Sequence, residues 1–69
     1  MITAEQLKRT YKDDPKTISH ALAETLRDFG YSSTTDEWVR EEVDRLLSGE
    51  EPRGGPSMFL KGWLEEGIE

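Results

Sequence analysis

A chain of 69 residues without one cysteine has to hold its fold together by packing alone. Chains this short ordinarily lean on disulfides, a structural metal, association, or well-formed helices carrying large apolar side chains. The missing cysteines remove disulfides and thiolate metal sites together. A single histidine, His20, leaves only carboxylates as further metal ligands. What remains is a helical core or an assembly of copies, and the length allows one domain, residues 1–69.

The apolar residues fall where a helical core needs them. Ile18, Ala21, Leu22, Leu26 and Phe29 follow three-, four- and seven-residue spacing and predict a helix over 15–29. Asp14 is its N-cap, Pro15 its first helical residue, and Gly30 the left-handed residue that stops it. Ala4, Leu7 and Tyr11 predict a preceding helix over 4–12, opened by a capping box of Thr3 and Gln6. Val39, Val43, Leu46 and Leu47 predict a third helix over 35–48, which Thr34 and Glu37 would cap and Gly49 would end. The segment from Glu50 to Pro56 is rich in glycine and proline and reads as irregular. A fourth helix over 58–66 follows, with Ser57 as cap and Phe59, Leu60, Trp63 and Leu64 on one side. Gly62 lies inside that helix at a cost of about 1 kcal/mol, which suits close approach of another helix. Nothing alternates with the two-residue period of a strand. The expected fold is therefore all-α, a compact four-helix domain with short connections.

Charged residues make up 35% of the chain and hydrophobic ones 33%, a balance compatible with disorder, but regular helical spacing of the apolar set argues for a fold. The net charge is -6, and residues 21–51 hold nine acidic groups against three basic ones. Such a surface repels nucleic-acid backbone and anionic lipid. No apolar run reaches the roughly 20 residues that span a bilayer, and no signal-peptide pattern opens the sequence, so membrane attachment is not expected and a cytoplasmic location is.

No catalytic grouping emerges. His20 falls off the apolar face of its helix, with Glu24 four residues on as its expected partner, and Ser19 beside it faces another direction. Asp13–Asp14 and Glu50–Glu51 lack the alternating ligands of a calcium loop. No cofactor, no metal and no enzymatic activity are expected.

Three candidate surfaces remain. Arg53, Gly54, Gly55 and Ser57 precede a helix and resemble a weak anion site, although the phosphate-loop lysine is missing and loop-forming residues explain most of the pattern. Glu37, Glu41 and Asp44 form an acidic face on the third helix, with Glu41 and Arg45 spaced to pair. Trp38, at the edge of that helix's apolar stripe, is the aromatic expected to meet a partner, while Phe59 and Trp63 are expected in the core. The second and third helices also resemble a helix-turn-helix pair, but Asp36, Glu37, Glu41, Glu42 and Asp44 would confront phosphates. The leading expectation is a non-catalytic protein-interaction or regulatory module that binds another protein or itself as a homodimer. A small DNA-binding regulator is the alternative.

Overall fold

The computed structural model describes all residues from Met1 to Glu69. Four helices follow one another: α1 (Ala4–Asp13), α2 (Pro15–Asp28), α3 (Asp36–Leu47) and α4 (Pro56–Glu66). The all-α reading holds, and each helix is bounded by identifiable chemistry. Thr3 accepts from the Gln6 amide while the Gln6 side chain accepts from the Thr3 amide, a complete capping box. Asp14 ends α1 and caps α2, its carboxylate accepting from the Thr17 amide at 3.3 Å, with Pro15 at the first helical position. Helices α2 and α3 finish alike: the Tyr31 amide reaches back to the Leu26 carbonyl and the Glu50 amide to the Arg45 carbonyl. Gly30 and Gly49 supply the positive φ of 110° and 89° that this reversal requires.

Two expected caps are corrected. Thr35, not Thr34, caps α3 by accepting from the Trp38 amide at 3.1 Å, because Thr34 is drawn inward and buried. Helix α4 begins two residues earlier than expected: Gly55 stands at the cap with φ 54°, Pro56 opens the helix, and Ser57 is fully buried inside its first turn. Proline needs no amide partner there, so the early start leaves no orphan donor at that position.

Helix α2 packs most extensively on α3, α1 lies against α2 and α4, and α4 also touches α3. The core they enclose consists of Leu7, Tyr11, Leu22, Ala23, Leu26, Val39, Val43, Leu60 and Leu64, with every helix contributing. Ile18, Tyr31, Trp38, Leu46, Trp63 and Ile68 pack around it. No helix is long and apolar enough to cross a membrane.

A feature without a helical signature closes the structure. Ile2 and Ile68 exchange two backbone hydrogen bonds of 2.7 Å, a single antiparallel bridge that clasps the two ends of the chain. Gly67 permits it: its φ is +87°, and a Cβ there would overlap the Ile2 carbonyl oxygen. Gly67→Ala should therefore destabilise the fold by about 1–3 kcal/mol, since neither backbone can yield without losing the bridge. Chemical denaturation measures this; an unchanged midpoint would mean that the clasp contributes nothing.

Candidate functional site

The candidate residues on α3 do not make one uniform acidic surface. Glu37 and Glu41 are exposed, but Asp44 is engaged: the Tyr11 hydroxyl of α1 donates to its carboxylate at 2.6 Å. Burial first, and then that hydrogen bond and the neighbouring negative charge, push the Tyr11 phenol up to about 12. Arg45 does not turn to Glu41 as its spacing suggests. It pairs with Glu42 at 2.9 Å and Glu50 at 3.3 Å.

Glu42 is the polar group that sequence reasoning misjudged. It sits at 1% exposure on the inner side of α3, where a solvated carboxylate was expected. The Ser57 hydroxyl donates to one oxygen at 2.6 Å, while Arg45 at 2.9 Å and Arg53 at 3.3 Å approach the other. Burial alone would raise this carboxyl, but the hydrogen bonds from Ser57 and Arg45 and the charges of Arg45 and Arg53 outweigh it, holding the group below its ordinary value. Both polar side chains of the Arg53–Ser57 loop thus meet a carboxylate of the protein itself. Gly54 and Gly55, each at positive φ, turn the chain so that Ser57 faces inward. The arrangement ties α3 to α4 and to the loop between them.

His20 lies with one ring nitrogen 2.7 Å from Asp36 and the other against Glu24. The Glu24 contact matches its helical spacing; Asp36 arrives from the start of α3 and could not be read from α2. Both nitrogens face carboxylates, so neither is free to take a proton from a nucleophile. The hydrogen bond and charge of Asp36, followed by Glu24, raise the His20 pKa above 6.5, and the hydrogen bond from His20 leads in lowering that of Asp36. The His20 contribution to stability is complete below about its ordinary 6.5 and is lost as pH rises through the raised value. We expect NMR titration to find the His20 midpoint above 6.5, moving back toward it in Asp36→Asn. A wild-type midpoint at or below the ordinary value would contradict the triad.

Aromatic exposure reverses the expectation for Trp38 and Phe59, while Trp63 packs partly buried against the core as expected. Trp38 packs half-buried against the core, whereas Phe59 is 42% and Phe29 58% exposed. Helix α4 carries two adjacent apolar stripes: Leu60 and Leu64 point inward, leaving Phe59 and half-buried Trp63 on the neighbouring side. Phe29, at the end of α2, joins them. Its ring lies 5.6 Å from Phe59 and 6.1 Å from Trp63, Phe59 and Trp63 are 6.0 Å apart, and Tyr31 completes the group 5.9 Å from Phe59. Met58, 55% exposed, extends the surface along α4. An open cleft of about 540 Å³ runs beside it, lined by Met58, Phe59, Gly62, Trp63 and three other residues, of which Glu66 and Glu69 are charged.

The basic residues gather elsewhere. Lys8, Lys12 and Arg40 line one cleft and Lys16 shares a second with Arg40, and none of the four is in an ion pair. Asp44 lines the first of these clefts, and Asp36 and Glu37 the second.

No protein-family model matches the chain, and no curated protein or solved structure does either.

Proposed function

We propose that this chain, whose role must be read from its own side chains, is a small non-catalytic protein-interaction module. The observation that carries this reading is the exposed pair Phe29 and Phe59, with half-buried Trp63 against both rings and exposed Met58 beside them. A 69-residue chain has few large apolar side chains, and leaving two phenylalanines about half in water forgoes roughly half of the 1.5–3 kcal/mol that full burial of each would contribute. Contiguous exposed apolar surface with a charged rim is the usual mark of a binding face, and aromatic anchors are its usual energetic centre.

The test is selection of a displayed peptide library on the immobilised protein, followed by competition with Phe29→Ser/Phe59→Ser. Binders that wild type retains and the double variant loses, with thermal melting of the variant intact, support the reading. A selection that enriches nothing, or only peptides indifferent to the two substitutions, refutes it.

Duplex DNA has one observation in its favour, the convergence of Lys8, Lys12, Lys16 and Arg40. Acidic groups interleave with them, and α3 opens with Asp36 and Glu37, which weakens any counterion release on binding. Salt-dependent binding to duplex DNA that disappears in Lys12→Glu would favour that alternative.

A further inference from the structure

We infer that the aromatic surface and the cleft along α4 receive a basic amphipathic helix of a partner protein, seated over Gly62. This rests on the interaction-module reading and specifies its partner. Gly62 is the first observation. It sits in the interior of α4, where glycine is a poorer helix former than alanine, yet a Cβ there would meet nothing within 4 Å. No internal packing uses the missing side chain. The space opens into the cleft between Met58 and Phe59 on one side and Trp63 and Glu66 on the other, so the notch serves something that arrives from outside.

Charge is the second observation and selects the occupant. The cleft has two charged lining residues, Glu66 and Glu69, and no basic one. Lys61 belongs to a different cleft, on the far side of α4, and Arg27 is directed away to the Thr34 carbonyl and Asp36. A second copy would bring the same acidic rim and no basic group from this cleft to meet it, so it lacks the complementary charge. Anionic lipid is repelled by the same rim. Lysine or arginine side chains flanking an apolar stripe find carboxylates at the rim and aromatic faces within it, which attract cations in their own right. Length fits as well: the exposed face from Met58 to Glu66 rises about 12 Å, which a partner helix of roughly three turns covers with anchors three and four residues apart.

Three synthetic peptides with one apolar pattern test this, their polar positions filled by lysine, by glutamate or by glutamine, with binding read by tryptophan fluorescence and amide shifts. The lysine peptide should bind, shift Phe59, Gly62 and Trp63, and weaken as salt rises. Gly62→Leu should reduce its affinity by about tenfold or more through lost close approach, while melting at or above the wild-type temperature because helix propensity improves. Glu66→Lys/Glu69→Lys should reverse the preference between the lysine and glutamate peptides. Equal binding of all three overturns the basic partner while leaving the interaction module intact. Concentration-dependent dimerisation abolished by Gly62→Leu assigns the face to a second copy, and binding to phosphatidylglycerol vesicles assigns it to lipid; either result overturns the inference. Failure of every peptide together with an empty library selection removes the module reading itself.

Discussion

Glu42→Ala should lower stability by about 3–4 kcal/mol, the loss expected when one partner of a buried ionic group is deleted. The substitution strands the buried Ser57 hydroxyl, leaves Arg45 and Arg53 without their shared carboxylate, and opens a void between α3 and α4. A single core of this size rarely supplies more than about 3–5 kcal/mol in total, so the variant should be largely unfolded at room temperature. Glu42→Gln separates charge from shape. It keeps the volume and an acceptor for Ser57 while losing the attraction to the arginines, and should cost roughly half as much. Urea denaturation by circular dichroism reads both. An alanine variant with a wild-type midpoint would show that the carboxylate is held without consequence. The acid limb offers a second readout. The folded Glu42 carboxyl titrates below its ordinary 4.5, so its contribution is complete above that value and is lost as pH falls through the lowered one. The glutamine variant should lack that part of the pH dependence.

The other large effect belongs to Leu22→Asp. Leu22 is 4% exposed on the inner face of α2, in the one core cluster that also holds Leu26 and Ala23. An aspartate there has no cation within the core to meet, and a loss of about 4 kcal/mol or more leaves no folded population. Sequence spacing alone predicts the same outcome for Leu46→Asp, but the structure separates the two. Leu46 is only half-buried and lines an open cleft in which Lys8 and Lys61 are mixed with Glu50, Glu51 and Glu65, so an aspartate at 46 reaches water. Its cost should be about 1–2 kcal/mol, within the ordinary range for a partly exposed site. Melting curves of the two variants decide the matter: equal loss would mean that the half-burial of Leu46 gives no relief.

These two leucines also illustrate how far periodicity reaches. The starts of α1 and α2 and the ends of α2 and α3 are legible because they rest on local chemistry: Thr3 with Gln6, Asp14 before Pro15, and Gly30 and Gly49 after the last apolar residues each act within a turn of their own position. Which of two neighbouring stripes faces inward is a tertiary matter. On α4, Phe59 with Trp63 and Leu60 with Leu64 are equally spaced, and only contact with α1 and α3 selects the leucines. The error at Glu42 has the same origin. A glutamate on an otherwise charged helix reads as solvated until Ser57, Arg45 and Arg53 converge on it from three places in the chain. Ser57 reads locally as a cap because serine before an apolar run usually is one; its long-range hydrogen bond to Glu42 overrides that signal. Of the candidate site residues, Trp38 and Asp44 were placed on the correct helix, but their commitments to the core and to Tyr11 lay outside what spacing can show. Phe29 and Phe59 were visible as aromatic residues; their exposure was not.

The bridge between Ile2 and Ile68 has a consequence for how such a unit is joined to anything else. Entry and exit stand shoulder to shoulder, so polypeptide spliced onto both would depart from a single point on the surface. A host protein offering one tight loop would accommodate the whole four-helix body there without being pried apart, with the junction at the edge of the cleft that Glu69 lines.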